Sequence, residues 1–415
     1  MNFRKTILAA SIAAASVSTV MAAEKMPEKP AVPTLGQVME ATGISVNGYI
    51  DTSYTYLEGT GTFTPTPGTF AAGGFNRVFD TERRSFNIHA LDLTLSALPP
   101  EGFGGMVNLT AGSDARVIAS AGTDGLTTVG CPTCASDEFD VTQAYVHFAQ
   151  GGLMVIGGKY VTLSGAEVIK SPSNTNFSRS ILFGYAIPFA HTGVRAYFTP
   201  GGSAAAPDGK WTFIAGLNNG WDVLKESVQA PAVDGTQGLS KTLELGANGA
   251  ITKSLSLAAV YYSGDESSAT SAFAPATTGQ RDLLDLVLTF TATDNLSFVL
   301  NYDKGEQDKA LAGGGKVKWD GLAGYANYKL SDAWRTSFRA ESFDDKDGFR
   351  TGVNVGSGGQ KWKEYTLTLA NTPAKNVELR GEVRHDSSNQ SSFNQPDGTT
   401  KKSQNSLGLE AIYKF

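Results

Sequence analysis

Apolar and polar side chains alternate with a period of two along most of this chain, in short segments separated by turn residues. The run Asn376-Val377-Glu378-Leu379-Arg380-Gly381-Glu382-Val383-Arg384 shows it most cleanly. In an extended segment Val377, Leu379, Gly381 and Val383 share one face, and Glu378, Arg380, Glu382 and Arg384 share the other. Trp334 to Glu341 repeats the pattern, with Arg335, Arg339 and Glu341 on the polar face. Tyr365, Leu367 and Leu369 alternate with Glu364, Thr366 and Thr368; Leu296, Phe298, Leu300 and Tyr302 alternate with Ser297, Asn301 and Asp303. At the end of the chain Leu407, Leu409, Ala411, Tyr413 and Phe415 fall on one face and Gly408, Glu410 and Lys414 on the other, with Ile412 alone out of phase. Such segments predict about sixteen strands. Their spans are 44–56, 84–97, 103–111, 139–149, 153–160, 192–199, 210–219, 242–250, 254–263, 281–291, 296–305, 317–329, 334–343, 361–371, 376–386 and 404–415.

The oily face needs either a protein core or lipid. Past residue 23 no stretch of about 18 apolar residues occurs, so no membrane-spanning helix is predicted. Only helices and closed barrels satisfy every backbone polar group in hydrocarbon. The fold class expected is therefore all-β, a transmembrane antiparallel barrel of about sixteen strands. An Arg facing lipid at mid-membrane costs about 2–4 kcal/mol, so the charged rows turn inward to a wet lumen. The connections agree with this. Every second one is tight, as in Pro99-Pro100-Glu101-Gly102, Gln150-Gly151-Gly152, Thr252-Lys253, Thr293-Asp294, Ser331-Asp332 and Thr372-Pro373-Ala374-Lys375, with Pro200 to Gly209 the longer exception. The others are long and rich in Gly, Ser, Asp and Thr. Short periplasmic turns and long external loops are what outer-membrane barrels have, and an even strand number puts both termini on the turn side.

Composition narrows the field. Forty-seven Gly among 415 residues suit short strands and polar loops. The net charge of −6 argues against nucleic acid as a partner. No linker divides 44–415, which favours one repetitive unit over two or three soluble domains. A propeller or solenoid needs a fixed repeat length, and none is present. Tyr160, Tyr302, Tyr328, Trp334, Trp362 and Tyr413 sit at strand ends, where interface girdles are expected.

Sixteen or more strands leave an aqueous channel where eight would pack their own interior. The longest connection, Val161 to His191, is markedly apolar from Phe177 to Phe189. Such a loop is expected to fold down inside the barrel, placing Glu167, Lys170 and Arg179 at a constriction. Lys159, Arg195, Arg335, Arg339, Arg380 and Arg384 are the inward basic candidates; Glu244, Asp285, Asp303, Glu341, Glu364, Glu378, Glu382 and Glu410 are the acidic ones. Two readings stand for the wall that carries Arg335, Arg339, Arg380 and Arg384. It forms a basic patch facing loop acids, or its charges pair along and across strands.

Gly157-Gly158-Lys159-Tyr160, Gly165-Ala166-Glu167, Asn176-Phe177-Ser178-Arg179-Ser180 and Pro188-Phe189-Ala190-His191-Thr192-Gly193-Val194-Arg195 resemble the β-barrel porin family described as OmpL-like. Gly48-Tyr49-Ile50-Asp51 and Gln143-Ala144-Tyr145-Val146 fit it too. The resemblance spans most of the mature chain, with its motifs concentrated in 139–198. It implies a Gram-negative outer-membrane porin and no characterised substrate; no cofactor is expected, and the inward fold expected of the third external loop is the one general porins use. The terminal aromatic, Phe415, resembles the C-terminal Phe of bacterial outer-membrane proteins, which implies recognition by their assembly machinery. A homotrimer is compatible with large porins.

The chain is read as three parts. Arg4 and Lys5, the apolar stretch from Ile7 to Val20 and the small residues Ala22 and Ala23 predict an exported chain with a signal peptide at 1–23. An N-terminal periplasmic segment, 24–43, contains about two helical turns near Thr34 to Ala41, and the barrel occupies 44–415. Cys131 and Cys134 read as a local disulfide in an external loop. Catalysis and metal binding are not expected, because His89, His147, His191 and His385 lie in no catalytic or ligand motif. The alternative class is a surface adhesin or structural barrel with a plugged lumen.

Overall fold

The computed structural model describes residues 35–59, 77–80, 82–120, 138–202, 211–225, 241–267, 278–311, 314–351 and 358–415. Sixteen strands form one closed antiparallel sheet. They are β1 (Ser45–Leu57), β2 (Ser85–Ala97), β3 (Gly102–Ala111), β4 (Phe139–Gln150), β5 (Leu153–Val161), β6 (Ala190–Phe198), β7 (Thr212–Asn218) and β8 (Thr242–Thr252), followed by the second half of the wall. That half comprises β9 (Leu255–Ser267), β10 (Thr278–Thr293), β11 (Leu296–Gln307), β12 (Val317–Lys329), β13 (Trp334–Asp345), β14 (Gln360–Ala374), β15 (Val377–Ser388) and, after the two-residue hairpin strands β16 (Phe393–Asn394) and β17 (Thr400–Lys401), β18 (Ser403–Lys414). Each strand pairs with its sequence neighbours, and β1 pairs with β18 to close the ring from Tyr49↔Lys414 to Leu57↔Ser406. Closure leaves no edge strand, so every ladder group finds a partner in lipid.

All sixteen predicted spans correspond to barrel strands, with ends shifted by a few residues. The two-residue period decides the facing. Along β18 the odd positions Leu407, Leu409 and Tyr413 are 42–52% exposed on the outer face, while Ser406, Glu410 and Ile412 turn inward. Ile412 breaks the polar row because it packs against Tyr49 and Ala90 inside the barrel. Tyr328, Trp334 and Tyr413 stand outward at the turn side, as a girdle should. Tyr160 and Trp362 do not. Both are about 1% exposed and point into the lumen, and for Trp362 the reason is register: it shares its face with Glu364, Thr366 and Thr368.

Among the described residues three short α-helices lie outside the wall, besides a single 3-10 turn at Ser171–Ser173. Helix α1 (Leu35–Thr42) precedes β1 and matches the predicted helical turns. Helix α2 (Ser113–Ile118) folds onto β2, β3 and β4, burying Asp114, Ala115 and Ile118. Its entry turns at Gly112, φ 128°, where a side chain would collide with the His89 carbonyl; only glycine fits there. Helix α3 (Ile181–Tyr185) lies in the connection between β5 and β6, with Ser180 accepting from the Phe183 N–H at 3.0 Å as its N-cap.

Candidate functional site: the lumen and its inward-folded loop

Residues 162–189 run through the barrel interior and are moored to most of its circumference. The descending limb hangs on β9, β10 and β11. Leu163 N–H donates to the Tyr262 hydroxyl (3.2 Å), Gly165 N–H to Asp285 Oδ2 (3.0 Å) and Ala166 N–H to Asn301 Oδ1 (3.0 Å). The lowest stretch crosses to the opposite wall. Arg380 donates to the carbonyls of Ser171, Asn174 and Asn176, Arg335 to that of Thr175 (2.6 Å), and Lys170 reaches Thr94 Oγ1 (2.7 Å).

Beyond it the loop climbs back on pairs of peptide N–H groups held by single carboxylates. Glu382 accepts from Phe177 and Ser178 (2.8 and 3.1 Å), Glu341 from Ile181 and Leu182 (2.7 and 3.1 Å). Asp222, in the connection after β7, accepts from Phe189 and Ala190 (2.7 and 2.9 Å). Burial raises the Asp222 carboxyl to about 6, against the lowering effect of those two N–H groups and of Arg350 and Arg281. Hydrogen bonds to charged groups contribute about 1.5–3 kcal/mol each and, with the apolar packing described next, offset the entropy of ordering the loop.

The apolar part of the loop is what needs that seat. Ile181, Leu182, Phe183, Tyr185, Ile187 and Phe189 form one core with Phe79, Trp221, Trp319, Phe343, Phe349, Trp362 and Phe393. Trp319 donates its indole N–H to the Ala186 carbonyl (3.0 Å), and Arg350 donates to that of Tyr185 (2.6 Å). The loop-side half of the lumen is thus packed by aromatic side chains from the wall and from several connections. Small wall residues make the room: a side chain at Gly321 would meet Leu182 at 2.6 Å, and one at Gly408 would meet Phe177 at 2.5 Å.

The residues singled out from sequence fall inside the barrel, and most are locked. Arg339 is fully buried between Glu364 (3.0 Å) and Glu167 (2.7 Å) and donates to the Ser178 carbonyl. Arg380 pairs with Glu378 (2.6 Å) and Glu410 (3.1 Å), Arg384 with Asp386 (2.8 Å), Arg195 with Glu244 (2.8 Å) and Lys159 with Asp140 (2.9 Å). Arg179 spends its guanidinium on the carbonyls of Phe177 and Ile169. Glu382 holds loop amides and the Thr368 hydroxyl. Two keep an open side chain: Lys170 at 33% and Arg335, paired with Glu378, at 28%. The charges of this wall pair along and across strands rather than standing as a free basic patch. Cys131 and Cys134 lie outside the described residues.

Sequence reasoning missed Asp222, Tyr262, Trp319 and Arg350, whose loop partners lie 32 to 165 positions away. It also missed a row in which Ser53 Oγ lies 2.7 Å from His89 Nε2 and His89 Nδ1 lies 3.0 Å from Asp114 Oδ1. The Phe177 ring stands edge-on over His89, and Ser53 is 5% exposed, so the row is enclosed beneath the loop. His191 is likewise buried, stacked on Tyr262 with Nδ1 3.2 Å from the Gly220 carbonyl.

A closed sixteen-strand sheet with an oily outer face, a charged inner one and a loop moored in its lumen defines an outer-membrane porin. The family described as "Putative beta-barrel porin-2, OmpL-like" matches residues 43–415, and the chain belongs to it. Its role is that of a porin channel in the outer membrane. No curated protein matches the chain. Solved structures share the fold at low identity. An anion-selective porin from Comamonas acidovorans is 11% identical with a TM-score of 0.57, covering 90% of this chain and 99% of that one. The outer membrane channel DcaP of Acinetobacter baumannii is 14% identical, TM-score 0.55, with 90% and 97% covered. OmpT of Vibrio cholerae in its trimer form is 10% identical, TM-score 0.54, with 90% and 99% covered.

Proposed function

We propose that the chain conducts small hydrophilic solutes and ions passively, through a path narrowed by residues 162–189. The inward loop carries this reading: its mooring engages Arg335, Arg339, Arg380, Glu341 and Glu382 of the inner wall, so a conducting path past it is narrow. A signal peptide at 1–23 directs export and is then removed, residues 24–43 remain periplasmic, 44–415 form the barrel, and Phe415 is recognised by the assembly machinery. The barrel works without catalysis and associates as a homotrimer, the form named for the Vibrio relative. The packed aromatic core favours one refinement, a conductance well below that of an unobstructed sixteen-strand barrel. Planar-bilayer recording of the purified, refolded protein is the test. Stable open steps are expected; a folded barrel that stays silent speaks for the plugged, adhesive class instead.

A further inference from the structure

The strand positions that face inward carry carboxylates all round the barrel, and every one of those described is less than a tenth exposed, Asp92, Glu244, Asp303, Glu364, Glu382 and Glu410 among them. Many of their oxygens are taken by guanidinium groups or by loop amides. Lys170 and Arg335 are different, with 33% and 28% of their side chains open. They stand at the two ends of the segment 170–175, the lowest stretch of the loop. Lys170 touches Thr94 near the turn-side end of β2, and Arg335 is the second residue of β13. Their acidic neighbours sit behind them: Asp92, 3.4 Å from Lys170, is 1% exposed in its side chain, and Glu378, bonded to Arg335, is 9%. Among the described residues, the other basic inward-phase strand positions that are not buried are Lys329, bridged to the turn residue Asp332, and Lys414 at the end of β18, both at the turn-side rim. Off the strands, Arg116 of α2 is partly exposed, and Arg350, also partly exposed, is committed to the Tyr185 carbonyl.

We infer that Lys170 and Arg335 are the charge filter of this channel and that it prefers small hydrated anions. A sealed ion pair presents little field to a passing solute, whereas an open cation within a Debye length acts through water. The inference rests on the channel reading above and gives it a sign. The test is the reversal potential of the full-length protein in a planar bilayer under a potassium chloride gradient. Wild type is expected to pass chloride over potassium. Lys170→Glu and Arg335→Glu should each lower that ratio by about twofold, and the double variant should bring it below one. Lys170→Gln and Arg335→Gln, which remove charge without adding repulsion, should move it the same way by less. Lys363→Glu, on the outer face, should leave it unchanged. Heat-modifiable gel mobility confirms that each variant is folded. Cation preference in wild type, or a ratio that ignores both filter positions, overturns this inference while conduction stands. A folded wild-type barrel without conduction overturns the channel reading and this one with it.

Discussion

At the scale of single residues, stability inside the barrel depends on charges that cannot be left alone. Arg339 is fully buried and holds Glu364, Glu167 and the Ser178 carbonyl at once. Removing one partner of such a group leaves uncompensated buried carboxylates, which costs about 3–5 kcal/mol. Arg339→Ala should therefore shift the urea midpoint of the folded, fast-migrating gel form strongly downward. Lys363→Ala, exposed on the outside, should stay within about 0.5 kcal/mol of wild type. Asp222 adds a pH dependence with a definite sign. Its carboxyl is raised to about 6 in the fold from an ordinary value of 3.8, so the folded state binds the proton more tightly. Its contribution is complete below the ordinary value and is lost as pH rises through about 6. Thermal unfolding across that window should show the decline, and Asp222→Asn should flatten it.

Among the elements, the strands were legible and the loop's partners were not. Alternation is a local property, so sixteen spans and the facing of Glu341, Glu364, Glu382 and Arg384 can be read from neighbours alone. Trp362 was misplaced because an expectation about girdles overrode the register that Glu364 and Thr366 already imply. The lumen is another matter. Glu382 meets Phe177 and Glu341 meets Ile181 across 205 and 160 positions of chain, and no period encodes such meetings. The inward fold of 162–189 could still be expected, because its apolar stretch has nowhere else to hide. Helix α2 could not, since Ser113 to Ile118 carries no comparable oily run. The wall glycines test how tight the seat is. Gly408→Leu should push Phe177 from its place, leaving the ladder intact but raising conductance fluctuations in single-channel records.

For the molecule as a whole, closure and occupancy are separate matters. Closure joins β1 to β18, with Gly48 and Phe415 exchanging backbone hydrogen bonds of 3.0 Å in both directions. Deleting Phe415 removes that last exchange together with the terminal aromatic, and a clear fall in folded protein recovered from outer membranes is expected, read on unheated gels. Occupancy belongs to the loop. Excising residues 168–178 should widen the path and raise unitary conductance several-fold while the barrel still forms, because its sixteen-strand ladder does not use them.

The grip that Glu382, Glu341 and Asp222 exert on residues 177–190 falls on peptide N–H groups, which every amino acid except proline supplies. That part of the attachment is indifferent to side-chain identity, whereas Ile181, Leu182, Phe183, Tyr185, Ile187 and Phe189 hold the same segment through the core they share with the wall. Lineages carrying this architecture can revise positions outside that core, one codon at a time, while the amide grip persists. The same freedom is open to an engineer who wants a pore with a different taste.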